Sequence, residues 1–276
     1  MIASYSPSGG CWMYERIPGT DMAGSVEAVG AGVAAFQPGD EVFGWGTGAF
    51  AEYATAPADQ LLAKPDSLTS EQAAAVGVSA MTAFMAISEI GGVRPGQHVL
   101  INGASGGVGT FAVQIAKALG AEVTGVCSAR NAETIQSIGA DHAIDYAVDD
   151  FTQGEARYDL ILDNVGNHSF SDTRRTLTPD GTLLSNGAPV GGWFGGLGHV
   201  IVAMLQSMLH KQQGRPFVSF GTIEHLRAVT ELVEAGQVTP VIDHTYPLSE
   251  GPNAIANVVA GHTSGTAVIT MSSPAA

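Results

Sequence analysis

Positive charge is scarce in this chain. Lysine and arginine together number 11 against 26 aspartates and glutamates, a formal net charge of −15. Nucleic-acid binding needs a basic face to neutralise phosphates, and an anionic membrane surface needs the same. Both partner classes are therefore excluded by expectation, leaving small-molecule chemistry and solubility as the reading of the acidity. Cysteine is rarer still: only Cys11 and Cys127. That excludes a disulfide framework and a cysteine-rich zinc site, and it predicts a reducing, cytoplasmic setting. Long apolar runs are also missing. The most membrane-like stretch, 199–209, is too short for a bilayer span and is expected to pack as a helix in a core or at an interface. Met1–Gly10 has neither a basic start nor an apolar run, so no secretory leader is expected. The eight histidines form no close pair at ligand spacing, and each is expected to be structural or on the surface.

Glycine, by contrast, is plentiful at 36 residues in a chain of 276, and hydrophobic residues make up 45%. This is a globular composition, long enough for one large domain or two modest ones. Met1–Glu15 reads as irregular. From Pro18 to Ala63 short apolar runs (Gly24–Val29, Glu41–Phe43, Ala49–Ala54) alternate with turn residues, a β pattern in which Pro38-Gly39-Asp40 makes a turn. At Thr69-Ser70-Glu71 an Ala-rich helix begins and runs to about Ile90. From His98 the chain alternates: strand His98–Asn102, helix Val108–Leu119, strand Glu122–Cys127, helix Ala132–Ile138, then strands at Ala143–Asp145, Leu160–Asp163 and Thr182–Ser185. A helix at Glu224–Ala235 and a strand at Ala267–Met271 follow. Such alternation predicts an α/β fold with a parallel sheet covered by helices.

The sharpest local signal is Asn102-Gly103-Ala104-Ser105-Gly106-Gly107-Val108-Gly109, which follows a strand and opens a helix. Glycines there let the backbone approach a pyrophosphate, and the helix N-terminus favours the anion. Specificity is read at the end of the next strand. A unit preferring NAD places an acid about 20 residues past the loop, on the ribose hydroxyl. Here the segment is Cys127-Ser128-Ala129-Arg130-Asn131, without an acid. Ser128 offers a hydroxyl and Arg130 a guanidinium suited to a 2′-phosphate, which points to NADPH.

These residues resemble the medium-chain dehydrogenase/reductase superfamily, in its zinc-free quinone oxidoreductase (zeta-crystallin-like) branch, near the reticulon-4-interacting-protein-like group. Further ordered segments carry the resemblance: Pro18-Gly19-Thr20-Asp21-Met22-Ala23-Gly24, Pro38-Gly39-Asp40-Glu41-Val42-Phe43-Gly44, Leu160-Ile161-Leu162-Asp163-Asn164-Val165-Gly166, and Gly236-Gln237-Val238-Thr239-Pro240-Val241-Ile242. It spans Arg16 to about Thr270. It implies a Rossmann-type doubly wound parallel sheet at 73–244 and a GroES-like substrate domain at 1–72 and 245–276. Relatives carry additional strands before the Pro-Gly-Thr-Asp signature, and Met1–Glu15 matches nothing there, so a GroES-like domain truncated at its N-terminus is expected.

The resemblance also implies cofactor contacts. Ser105, Gly106, Gly107 and Val108 would meet the pyrophosphate. Ser128, Arg130 and Tyr146 would surround the 2′-phosphate. Thr82 would lie near the nicotinamide, with Asn164, Val165 and Gly187 on the nicotinamide-ribose side. Zinc-dependent relatives have Gly-His-Glu where this chain has Gly19-Thr20-Asp21, so no metal is expected. His262 lies in a C-terminal motif where relatives approach the cofactor, but Thr266 stands in the usual place of a lysine. The 191–196 loop could cover substrate or form an interface. No catalytic residue is assigned; Tyr53 is a proton-donor candidate by type and otherwise a core aromatic. The implied activity is hydride transfer from NADPH to a quinone, enone or carbonyl, in a homodimer. The competing readings are an NADPH-binding protein without efficient redox activity, serving as a partner subunit or remnant, and a non-redox cyclase or isomerase on the same scaffold.

Overall fold

The computed structural model describes residues 2–4, 17–186, 213–217, 219, 221–261 and 263–271. Strands β1 (Ile2–Ser4), β2 (Asp21–Ser25), β3 (Glu41–Trp45) and β4 (Leu61–Ala63) precede helix α1 (Ser70–Phe84), which continues as a π-helical turn over Met85–Ile90. Then β5 (His98–Asn102), α2 (Gly107–Ala118), β6 (Glu122–Cys127), α3 (Ala132–Ser137), β7 (His142–Asp145), β8 (Tyr158–Asp163), α4 (Phe170–Arg174), β9 (Leu177–Ser185) and β10 (Gln213–Pro216) follow. After them come α5 (Ile223–Glu234), β11 (Ile242–Pro247), α6 (Gly251–Val259) and β12 (Thr266–Thr270). The chain divides into two units, one of residues 1–81 and 221–276, the other of residues 82–220.

The contiguous unit is a six-stranded sheet in the order β10-β9-β8-β5-β6-β7, with every pairing parallel. The order runs outward from β5 through β6 to β7 on one side and from β8 to β10 on the other. The β5–β8 boundary is therefore the topological switch point, where open α/β sheets bind ligands at their carboxyl ends. Val99, Leu100, Ile101, Ile161, Leu162 and Leu184 are wholly buried, as strands covered on both faces require. Gly125, inside β6, has a packing reason. A Cβ there would stand 2.6 Å from Ile135 Cδ1 and 2.8 Å from Ala104 Cβ, so α3 and the phosphate loop can lie close only over a bare backbone.

The other unit is a six-stranded sheet in the order β11-β12-β1-β2-β3-β4. β11 and β12 are parallel, and the remaining pairings are antiparallel. Met22, Ala49, Phe50, Tyr246, Ala254, Ala267 and Ile269 form its core. Within this unit α1 breaks at Gly77 (φ 9°, ψ −129°), where a Cβ would collide with the Asp21 carboxylate. The break leaves the Val78 amide without a helical acceptor. Asp21 Oδ2, on the buried Asp21, accepts it at 3.0 Å.

Several local expectations change. Ile2–Ser4 is not irregular but a strand between β12 and β2, too short to carry a period of its own. β2 starts three residues earlier than expected and ends at Ser25. From there Val26 closes the turn, its amide donating to Asp40 O and its carbonyl accepting from Gly39. Ala49–Ala54 forms no strand. The amides of Ala49 and Phe50 bond the Gly19 and Pro18 carbonyls instead, and only Thr47 pairs with Thr55. The Gly-Pro-Asn sequence at 251–253 opens a helix, because proline in a first turn lacks only an amide that would be unpaired anyway. Among the described residues one helix, Ser70–Ile90, is long and apolar enough to cross a membrane, yet it is kinked at Gly77 and mostly buried inside the protein, as a core helix is. The 199–209 stretch and the 191–196 loop lie outside the described residues.

Candidate functional site

β5 ends at Asn102, and Gly103 (φ +77°) turns the chain into α2. Only glycine takes that φ without strain, and a Cβ at 103 would press on Val165 Cγ2 at 3.0 Å. The amides of Gly103 and Ala104 donate to Val126 O, anchoring the loop to β6. Gly109 lets the first turn of α2 lie on the loop, since a Cβ there would overlap the Gly103 carbonyl and both backbone carbons of Ala104. Gly106 is the N-cap residue and supplies no side-chain acceptor, so the first-turn amides of α2 carry no side-chain cap. Beyond Gly106 the space is open: a Cβ would meet only Gly103 O, at 3.5 Å. Uncapped amides, bare backbone and free volume on one side of the loop fit a pyrophosphate.

At the end of β6, Ser128 is half-buried and begins a single helical turn, Ala129–Asn131, on which Arg130 is exposed. Tyr146 directly follows β7, 60% exposed, and its amide donates to Cys127 O at 3.2 Å. Ser128 and Tyr146 therefore flank one strand end. A carboxylate not weighed in the sequence reading lies near them. Asp145 pairs in register with Cys127, and its Oδ1 accepts the Ala147 amide at 3.1 Å. Burial first, and Asp145 second, push the Cys127 thiol above its ordinary pKa, so this buried cysteine is an inert thiol in the neutral range. Asp145 could be found only from the sheet order, because it belongs to the strand beyond the one the spacing rule inspects.

At the switch point a polar network joins β5, β8 and β9. Asn102 Nδ2 donates to Asp163 Oδ1 and to Asn167 Oδ1, both at 2.9 Å. Asp163 Oδ1 also accepts the amides of Val165 (3.0 Å) and Gly166 (2.9 Å). Asn164 donates to Asn102 O, and Asn186 Nδ2 to Asn164 Oδ1. The buried Asp163 carboxylate thus shapes the turn that carries Asn164 and Val165, placing it beside Gly103. Sequence reading named Asn164 and Val165 but missed Asp163 and Asn102, whose roles rest on contacts 61 residues apart.

Of the other expected site residues, Ser105, Gly107 and Val108 lie on the loop and first turn of α2, and Thr82 is buried on α1 in the same unit. Gly187 and His262 lie outside the described residues. Tyr53 is 61% exposed and is no core aromatic. It lines a cavity of about 470 Å³ within the antiparallel unit, with Met22, Val42, Phe36 and Met271. The described histidines have ordinary partners. His98 and His142 flank Glu122, His168 meets Asp150, His225 caps α5 with Thr222, and His244 meets Asp243.

Comparison with known proteins places this geometry. Residues 138–269 match the family model of the zinc-binding dehydrogenases, and residues 5–66 match that of the alcohol dehydrogenase GroES-like domain. The match thus begins before Arg16, and the segment that seemed unlike the family belongs to it in part. The mitochondrial NAD(P)H oxidoreductase RTN4IP1 of Mus musculus is 37% identical over 91% of this chain and 69% of its own length. The chloroplast envelope quinone oxidoreductase homolog of Arabidopsis thaliana is 32% identical over 92% of this chain and 79% of its own. The quinone oxidoreductase of Coxiella burnetii superposes with a TM-score of 0.84 at 26% identity, covering 97% of this chain and 87% of that one. These relatives also correct an expectation. The cytoplasmic location inferred from cysteine usage is overturned by relatives named as mitochondrial and chloroplast proteins. A reducing interior is common to several compartments, so cysteine scarcity does not choose among them. By motif order, topology and sequence identity, this chain belongs to the medium-chain dehydrogenase/reductase superfamily, in its quinone oxidoreductase branch, a family of nicotinamide-dependent oxidoreductases.

Proposed function

We propose that the chain is a zinc-independent, NADPH-dependent reductase acting on a quinone, an enone or a carbonyl compound. The observation that carries the cofactor choice is the end of β6. Ser128 and Arg130 stand where an acid would hold an unphosphorylated ribose, and the Tyr146 backbone is tied to the same strand end through Cys127 O. Asp145, on the neighbouring strand, spends one oxygen on its own turn. A guanidinium here favours a dianionic phosphate through charge-assisted hydrogen bonds. Zinc independence is supported by Gly19-Thr20-Asp21, which contains no histidine.

The bound cofactor supplies the hydride. The chain's own work is placement. The Ser105–Gly109 backbone holds the pyrophosphate, Ser128 and Arg130 hold the adenosine end, and the Asp163-braced turn offers Asn164 and Val165 to the nicotinamide end. The test is NADPH oxidation, followed by the loss of reduced-nicotinamide absorbance, with a panel of quinones and enones, for wild type and Arg130→Ala. Turnover with a preference for NADPH that falls about tenfold to a hundredfold in the variant is expected. Tight NADPH binding without turnover across the panel would sink the reductase reading. An unchanged cofactor preference in Arg130→Ala would sink the NADPH assignment.

A further inference from the structure

Two segments of the nucleotide site lie 26 residues apart, and one hydrogen bond ties them. Asn131 Nδ2 donates to Ser105 Oγ at 3.0 Å, between side chains that are both more than nine-tenths buried. Asn131 is also fastened on its other side, where its backbone amide donates to Ser128 O at 2.9 Å. One residue therefore joins the phosphate loop, through Ser105, to the turn that carries Ser128 and Arg130.

The direction of that bond has a chemical consequence. A serine hydroxyl has one proton to donate and lone pairs to accept with. With an amide NH₂ donating into its oxygen, the Ser105 proton is left to donate elsewhere. Donation into the oxygen also polarises the hydroxyl and strengthens the bond it gives. An acceptor at 131 would do the reverse, drawing the proton inward and presenting lone pairs to the anion. A carboxylate at 131 would add like charge beside phosphate oxygens.

We infer that Asn131 is a positioning residue for the cofactor, fixing the Ser105 hydroxyl as an outward donor to the pyrophosphate and coupling the phosphate loop to the Ser128–Arg130 turn. The inference rests on the dinucleotide reading of the site. It differs from a packing role in two ways. The effect of Asn131 must pass through Ser105, and it must depend on hydrogen-bond polarity at constant shape.

The test is a double-mutant cycle on the full chain: wild type, Asn131→Ala, Ser105→Ala and the double variant. Isosteric Asn131→Asp is the polarity control. NADPH dissociation constants are read by calorimetry, cofactor KM and kcat by steady-state kinetics, and apo-protein Tm by thermal scanning. Each single alanine variant is expected to raise the NADPH dissociation constant and KM about fivefold to tenfold, with kcat changed less than twofold. The double variant should be no worse than about the weaker single variant, because the two changes remove one interaction. Asn131→Asp should bind at least about tenfold more weakly than wild type, and more weakly than Asn131→Ala. Multiplicative effects in the double variant, or Asn131→Asp binding as tightly as wild type, would overturn the inference while leaving the cofactor assignment in place. A wild-type chain that binds neither NADPH nor NADH would overturn both. Should Asn131→Ala lose apo-protein Tm, Asn131→Ser, which keeps a small polar donor, is read in the same cycle. It is expected to recover part of the affinity, and failure to recover any would count against the inference.

Discussion

Gly109 offers a substitution in which two terms of opposite sign compete, and the structure decides between them. Replacing a helical glycine by alanine ordinarily stabilises by about 1 kcal/mol, because alanine loses less backbone entropy. At position 109 the new methyl would overlap the Gly103 carbonyl oxygen and stand 2.8 Å from both Ala104 Cα and Ala104 C. All three atoms are backbone, in a segment held by the Gly103 and Ala104 amides on Val126 O. No side chain can swing away, so the loop must retreat from α2. Forced insertion of this kind costs about 1–3 kcal/mol. The net loss for Gly109→Ala is therefore up to about 2 kcal/mol. A unit of this size converts that into a fall in Tm of roughly 4–8 °C. Cofactor binding should suffer more than stability, since the displaced atoms carry the amides that meet the pyrophosphate. An increase of about tenfold or more in the NADPH dissociation constant is expected, each factor of ten being about 1.4 kcal/mol. Thermal scanning of the apo-protein, with calorimetry for NADPH, reads both. A variant as stable as wild type with unchanged affinity would refute the tight loop–helix contact and the placement of the pyrophosphate on it.

Other expectations follow from packing and charge. Ile161 is wholly buried in the centre of the parallel sheet, and Ile161→Ala should cost about 3 kcal/mol, read from the urea midpoint. A shift below about 1 kcal/mol would mean that the sheet interior is not packed as described. Asp141 works at the opposite end of that sheet. Burial pushes its carboxyl pKa up, but Lys117 and the Val123 amide, donating at 2.8 Å, more than reverse this, and the pKa lies below its ordinary value. A lowered pKa means stability present above the ordinary carboxylate value and lost as pH falls through the folded one. Urea midpoints of wild type and Asp141→Asn should accordingly differ near neutrality and converge in acid; a pH-independent difference would refute the role of the charge.

The phosphate loop was legible because everything that makes it is local: a strand, four glycines and a helix in one continuous stretch. The same holds for Arg130, since the end of β6 follows from the strand itself. Asn131 was written in the segment that the sequence reading quoted, yet its partner, Ser105, is set by the fold. Asp163 was likewise quoted as part of a family signature, with no hint that its carboxylate would take three donors. Asp145 required the order of strands. In the antiparallel unit the pattern misled where backbone amides found turn carbonyls in place of a ladder, as Ala49 and Phe50 do on Gly19 and Pro18. A period in side chains does not say where the amides go.

Strand β1 has a consequence for how the chain is made. Ile2 pairs with Thr270 on one side and Ala23 on the other, so one sheet is completed by strands that lie far apart along the chain. Residues 82–220, by contrast, hold all six strands of the parallel sheet in one uninterrupted stretch. During synthesis the nucleotide unit can close as soon as β10 leaves the ribosome. Strand β1 can pair with β2 early, but its other edge stays unpaired until β12 arrives. The interval between those two events is when this protein is most exposed to edge-to-edge association. Slowing translation across 217–270 should lengthen it, to the detriment of the antiparallel sheet and not of the nucleotide fold.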